Sequence, residues 1–410
     1  MRSPKTTLFF LIVGSFIFFM SINLGLAGEV GVTDTTVTLG SIYQVTGIGA
    51  QWGIARNESH GALLKYINEK GGIHGRKIII RHENDNFEPP RSILAFKKLV
   101  EVDKVFAFVS GFGGRTMDAV VPLAQKAKIP YLFFSGNSGS YIWPVKRYIF
   151  PWMPLYEDFP RVQVDYLAND LKKPNARIAY VYSDSVAGKG AQRGLLHQIK
   201  TFYPGMKIVG SEKIQYGALD MSAQVFKLRK EKPDVVMVFC YLTDAAKFAQ
   251  EMEKVGWKPP HVMLYAGASA DVKLIELAGS AVEGAYGQYV FPSVENDMPG
   301  VNFYKEVCKK YLPGNKKHPS QPGLLGFIEL QLALEALKLA GRNLTRESFV
   351  DTLENRFKNV DLQSIAPVTY APDKHWGLNH TFLTRVQGQK FIKVTGWRAP
   401  KGGFVKWPEL

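Results

Sequence analysis

Residues 67–111 read INEKGGIHGRKIIIRHENDNFEPPRSILAFKKLVEVDKVFAFVSG, and the hydrophobic period changes several times along them. The helical spacing of Leu63, Leu64 and Ile67 stops at Gly71-Gly72, a pair suited to the left-handed backbone of a helix C-terminus. KIII (77–80) follows as a short apolar run of strand type. Pro89 and Pro90 then open a helix, in the first turn where a missing N–H is harmless, with Ile93, Phe96 and Val100 on its apolar face. VFAFV (105–109) is a second buried strand and empties into Gly111-Phe112-Gly113-Gly114. A strand, a crossover helix and a second strand make a βαβ unit, which implies parallel pairing.

The same alternation extends both ways. Upstream, TVTLGSIY (36–43) is a strand with a polar exit, QVTGIGAQWG. Downstream, Met117, Val120, Val121 and Ala124 mark a helix, and Pro130 introduces YLFF as a strand. After the aromatic-rich YIWPVKRYIFPWMP, the rhythm restarts. Helices are expected around 157–171, 190–202, 221–231 and 244–255, between the strands RIAYVY, KIVG, DVVMVFC and HVMLY. Two such runs, separated near 152–156, predict an α/β protein of two lobes with parallel-sheet cores. In the tail, VTY, TFLTRV and KFIKVT read as short strands, the last two a hairpin through Gly388.

Composition removes several function classes. A chain of 410 residues, 46% hydrophobic and 21% charged, is long enough for two domains and too apolar for disorder. Arg2 and Lys5 precede LFFLIVGSFIFF, and Gly25 and Ala27 supply a small-residue exit. Those are the parts of a secretory signal peptide over residues 1–27, with an uncleaved membrane anchor as the alternative. The protein is therefore expected in the periplasm. Two cysteines, Cys240 and Cys308, are too few for a disulfide framework and read as isolated thiols. The net charge of +15 is spread along the chain with no arginine-rich, aromatic-interleaved stripe, so nucleic acid is not an expected partner.

Motifs for catalysis and cofactors fail on spacing. Gly111-Phe112-Gly113-Gly114 lacks the last glycine of a dinucleotide loop, Thr116 standing in its place. Ala187-Gly188-Lys189-Gly190 has Ser183 at the first phosphate-loop glycine and Gly190 at the Mg²⁺-binding hydroxyl position. Gly136-Asn137-Ser138-Gly139-Ser140 ends in serine where a nucleophile elbow needs glycine. His375 and His380 lie in a turn-rich segment without a second ligand cluster. No nucleophile, base and orienting group assemble, so neither an enzyme nor a cofactor or metal site is expected. What remains is a series of strand ends rich in small, hydroxyl and aromatic residues: Gln51-Trp52-Gly53, 111–116, 135–138, 184–190, Tyr241 and 266–269. Ligands of open α/β sheets bind beyond such carboxyl edges, and helix N-termini there favour a negative group.

These residues resemble the branched-chain amino acid binding family, the periplasmic solute-binding proteins of ABC transporters. The opening stretch carries that family's IN-x-x-GGI-x-G-[RK] turn, acidic strand end, proline and strand-to-glycine step, in order. TGIGAQWG resembles its first ligand loop, DSVAGKG its D-x-x-x-G-x-G turn, and LAGSAVEGAYG its AG-x-x-x-EG segment. The resemblance implies the type I periplasmic-binding fold, two Rossmann-like lobes joined by a three-strand hinge. Lobe 1 would hold 28–153 and 291–366, and lobe 2 would hold 154–290 and 367–410. It implies a monomer that closes on a small-molecule ligand and presents the closed form to an ABC permease, or else a sensor of the same fold that signals to a protein partner. Family ligand positions fall here on Trp52, Gly113, Gly114, Thr116, Ser135, Gly136, Asn137, Ser138, Ala187, Tyr241, Ala268 and Ser269. Two departures bear on the solute. Gly113-Gly114 replaces the family's first-loop serine. The segment 266–269 lacks the carboxylate that pairs an α-ammonium, and no acid follows until Asp271. A carboxylate or neutral polar solute with an apolar or aromatic body is therefore expected, since an unpaired buried ammonium is costly.

Overall fold

Five short apolar runs line up in parallel in the first half of the chain. They are β1 (Thr36–Ile42), β2 (Lys77–Glu83), β3 (Ala107–Gly111), β4 (Tyr131–Leu132) and β5 (Ile149–Phe150). Their order is β2-β1-β3-β4-β5, every pair parallel. All five residues of β3 are buried, as a central strand covered on both faces requires. The molecule is described by a computed structural model, which covers residues 28–47, 49–136, 138–269, 272–312, 314 and 319–407. The signal segment and Asn137 lie outside the described residues.

Helices α1 (Ala50–Glu69), α2 (Pro89–Glu101), α3 (Gly114–Ala127) and the single turn α4 (Gly139–Ile142) connect these strands. The second half repeats the scheme with β6 (Arg177–Ser183), β7 (Lys207–Ile214), β8 (Val235–Phe239), β9 (His261–Leu264) and β10 (Tyr286–Tyr289). Its helices are α5 (Asp158–Asn169), α6 (Val186–Phe202), α7 (Ser222–Lys230), α8 (Leu242–Lys254), α9 (Ala266–Ser269) and α10 (Lys273–Ala278). The tail hairpin, β11 (Phe382–Gln387) and β12 (Lys390–Lys393), completes the sheet in antiparallel sense, in the order β12-β11-β10-β9-β8-β6-β7. The fold is thus mixed α/β with two parallel-cored sheets.

Between β10 and β11 the chain returns to the first sheet through α11 (Pro299–Tyr311), α12 (Gln321–Ala340) and α13 (Arg346–Asn355). α12 packs along α1 and β3, and α11 also packs on α1. Being enclosed, α12 is apolar on almost every side, and among the described residues no helix is long and apolar enough to cross a membrane. The chain passes between the sheets after Phe150, after Tyr289 and ahead of Phe382. Residues 367–378, expected in the second lobe, make their contacts on the first-sheet side. Tyr370 meets the rings of Phe133 and Phe150, His375 stacks on Phe150 at 4.2 Å, and Gly377 N–H donates to the Pro151 carbonyl at 2.9 Å.

Local differences from the expected elements have physical causes. α6 begins at Val186 rather than near 190, because the Ser185 side chain caps it by accepting from Gly188 N–H at 3.1 Å. YLFF pairs only over Tyr131–Leu132, since Phe133 turns into left-handed backbone at φ 52°. VTY contributes a single bridge, Val368 to Val360. Cys240 and Cys308 are both free and buried, in separate clusters.

Candidate functional site

The two sheets present their carboxyl edges through loops of opposite character. On the first, the turn after β3 is fastened to the turn after β4. Ser135 N–H donates to the Gly111 carbonyl at 3.0 Å, and Gly113 N–H donates to the Ser135 carbonyl at 2.9 Å. Gly113 has φ 82° and ψ 142°, and the Phe87 ring lies where a Cβ would stand, 2.3 Å away. Only glycine fits there without displacement. Gly136, at φ 128°, crosses the Gly113-Gly114 backbone so closely that its Cβ would come 3.0 Å from the Gly113 carbonyl carbon. Gly113, Gly114, Ser135 and Gly136 therefore form one contiguous backbone surface.

The hydroxyls expected to meet a ligand mostly turn inward. Thr116 Oγ1 donates back to the Phe112 carbonyl at 2.5 Å, locking the first turn of α3. Ser135 Oγ donates to Glu329 Oε1 at 2.6 Å. Ser269 Oγ accepts from Gln288 N–H at 2.8 Å and lies 3.1 Å from the Tyr265 carbonyl, tying α9 to β10. Ala187 and Ala268 are buried core residues, and Ser138 is buried in the turn before α4. Among the family-derived positions, Trp52 and Tyr241 are the half-buried aromatic ones.

Those two rings belong to larger aromatic groups. Trp52, in the first turn of α1, stacks on Phe112 at 5.9 Å and 24°. Phe112 in turn meets Phe87 at 6.2 Å, and the Arg115 guanidinium sits 5.6 Å from the Phe87 ring with its side chain exposed. On the second sheet's edge, Tyr241 is the N-terminal boundary residue of α8 and stands edge-on to Tyr216 at 5.9 Å and to Tyr265 at 6.4 Å. Tyr265 lies flat on Phe239 at 3.9 Å.

Tyrosine hydroxyls join the two edges. Tyr141 OH donates to the Gly114 carbonyl at 2.8 Å, and Tyr156 OH lies 3.4 Å from where a Gly114 Cβ would stand. Tyr156 stands edge-on to Tyr265 at 6.5 Å, the ring that also meets Tyr241. Burial pushes the phenols of Tyr141, Tyr156 and Tyr265 well up, and that of Tyr241 to about 12, so all four stay protonated as neutral donors. Asp118, half-buried on α3, is raised by burial against a hydrogen bond with Tyr141. Tyr156, edge-on to Tyr265 and beside Gly114, thus joins the second lobe's aromatic group to the Gly113-Gly114 turn, while Ala268 and Ser269 stay in the core.

Phe87, Phe112, Tyr141 and Tyr156 escape a reading by motif. Phe112 sits inside the glycine turn, Tyr141 opens the aromatic run at the first crossing and Tyr156 lies two residues past its end, so composition near strand ends marks them. Among the described residues, no group of three or more His, Cys, Asp and Glu side chains is placed to hold a metal.

The periplasmic binding protein family model matches residues 36–390. A Leu/Ile/Val-binding protein homolog 7 of Brucella melitensis is 23% identical over 329 residues, covering 78% of this chain and 80% of the relative. Among solved structures, a fatty acid ABC transporter substrate-binding protein from Thermomonospora curvata superposes with a TM-score of 0.78 at 21% identity, over 91% of this chain and 95% of that one. A branched-chain amino acid ABC transporter protein from Thermus thermophilus, with bound valine, gives 0.76 at 20% identity, over 90% and 97%. The two lobes, their parallel sheets and the facing carboxyl edges are those of type I periplasmic binding proteins, and the chain belongs to the periplasmic binding protein family.

Proposed function

We propose that this protein is the extracytoplasmic solute receptor of an ABC importer of the branched-chain amino acid type. It works as a periplasmic monomer, closes on one small organic solute and hands it to a membrane permease. Closure follows because only the closed form touches the solute from both lobes, so the solute stabilises that form by its differential affinity. The solute has a polar or carboxylate end and an apolar or aromatic body. The polar end lies at the Gly113-Gly114 and Gly136 backbone with the Tyr156 and Tyr241 hydroxyls, and the body lies against Trp52, Phe112 and Tyr241.

The observation that carries this reading is the character of the second edge. It offers tyrosine hydroxyls at Tyr241 and Tyr156, whereas the 266–269 turn has no carboxylate and spends the Ser269 hydroxyl on β10. An α-ammonium would find no counter-charge on the 266–269 turn, and Asp118, the carboxylate felt by Tyr141, Tyr156 and Tyr241, stands on α3 of the first lobe, so the family's pairing of a standard α-amino acid is disfavoured. The named ligand classes of structural relatives range from valine to fatty acid, which is consistent with one scaffold serving different solutes. Mass spectrometry of whatever co-purifies with the native protein tests the proposal. A retained carboxylate or neutral organic molecule supports it, and retained leucine, isoleucine or valine removes the argument against amino acids.

A further inference from the structure

A buried carboxylate lies beneath the first lobe's binding edge. Glu329, near the middle of the apolar α12, is fully buried at 0% exposure. Its Oε2 accepts from Arg56 Nε at 2.8 Å and from Ser110 Oγ, and its Oε1 accepts from Ser135 Oγ at 2.6 Å and lies 3.4 Å from Arg56 Nη2.

Each partner belongs to a different part of the cleft. Arg56 stands one turn after Trp52 on α1, with its guanidinium 5.3 Å from the Phe112 ring and 5.4 Å from the Tyr43 ring. Ser110 is the residue before the Gly111–Gly114 turn, and Ser135 opens the turn after β4. Ser110 is also strained, a non-glycine residue at φ 62°, and the pairing of β1 with β3 slips a register there, between Gly40 and Ile42. A strained backbone of this kind persists only where its surroundings over-determine it.

A buried carboxylate is a poor way to gain stability, because well-packed apolar residues of similar volume often serve as well. Apolar packing cannot supply directional bonds that hold two loops and a helix at fixed mutual positions. We propose that Glu329 is a positioning residue. It holds the β3 turn, the β4 turn and the Trp52-bearing end of α1 in binding geometry before the solute arrives. Preorganisation of this kind removes ordering costs from binding. The inference rests on the reading that these turns and Trp52 form the solute site.

Hydrogen exchange on the full chain, with no solute added, tests it. Ser135→Ala should raise exchange about tenfold or more in peptides covering Ser135 and Gly136, and Ser110→Ala should do so across residues 111–116. Glu329→Gln should loosen both turns together, with α2 and strands β6 and β8 unchanged in all three variants. If Glu329→Gln does not fold, the two serine variants carry the test alone. The proposal is overturned if neither turn loosens, or if the serine variants speed exchange evenly through the first lobe, as a purely structural role would. The exchange pattern needs no solute, so its failure is distinguishable from a failure to find an organic ligand.

Discussion

Gly113 and Gly114, read from the sequence resemblance as standing in place of a family serine, are separated sharply by the structure. At Gly113, φ 82° and ψ 142° place a side chain in backbone territory that is close to glycine-only. That strain is worth about 1–3 kcal/mol. A Cβ would also stand 2.3 Å from Cε2 of Phe87, so the ring must swing away from Phe112 and Arg115. Losing the aromatic pair adds about 0.5–1.5 kcal/mol. Gly113→Ser should therefore destabilise the protein by about 2–4 kcal/mol. At Gly114, the first residue of α3, the nearest atoms to an added Cβ are the Tyr156 and Tyr141 hydroxyls at 3.4 and 3.5 Å, an ordinary contact. Gly114→Ser should stay within about 1 kcal/mol of the parent, helped by the smaller freedom of its unfolded chain. Urea unfolding followed by tryptophan fluorescence measures both. A Gly113→Ser variant as stable as the parent, or a Gly114→Ser variant that is the weaker of the two, would refute the account of this turn.

Other outcomes follow from the same geometry. Trp52→Ala should weaken binding of the retained solute with the unfolding midpoint nearly unchanged, because Trp52 is half-buried at the cleft edge; equal affinity would remove Trp52 from the site. Burial pushes the His60 imidazole down to about 3 from its ordinary 6.5, so the folded state keeps it neutral where the unfolded chain takes a proton. Its effect on stability is therefore absent above pH 6.5 and grows unfavourably as pH falls from there toward 3, at up to about 1.4 kcal/mol per pH unit. A His60→Asn variant should lose that share of the slope between pH 6 and 4, and an unaltered slope would count against a neutral His60. Cys240 is buried and its thiol is pushed up to about 12, so a thiolate-seeking alkylating reagent should leave it unmodified at pH 8 until urea unfolds the chain.

Much of the fold was legible because burial on both faces writes a simple pattern. VFAFV and VVMVFC are unbroken apolar runs, and the strands they make are buried at every position. The tail hairpin through Gly388 was legible for a different reason, since its turn needs the positive φ, 55°, that glycine allows. The site was only half legible. Trp52 and Tyr241 stand out as large rings at strand-to-helix steps. The direction in which a serine points is decided by partners far away in the chain. Ser135 turns to Glu329, 194 residues on, and Ser269 turns to Gln288 on a neighbouring strand. Glu329 itself left a trace, one acid in the middle of GLLGFIELQLAL, where an unpaired charge would not be tolerated. Residues 367–378 sit on the first-sheet side because Tyr370 and His375 find the Phe133 and Phe150 rings there, a preference that no local period records.

The central claim is that the cleft takes an organic solute whose recognition does not depend on pairing an α-ammonium. Thermal unfolding of ligand-stripped protein against a panel of aliphatic acids, aromatic acids and α-amino acids tests it most directly. A solute present at about 100 times its Kd should add about 2.7 kcal/mol of stability. The account predicts that stabilisation for at least one carboxylate or neutral solute with an apolar or aromatic body, and none for leucine, isoleucine or valine. Strong stabilisation by leucine or isoleucine, with no response to the other acids, would contradict it.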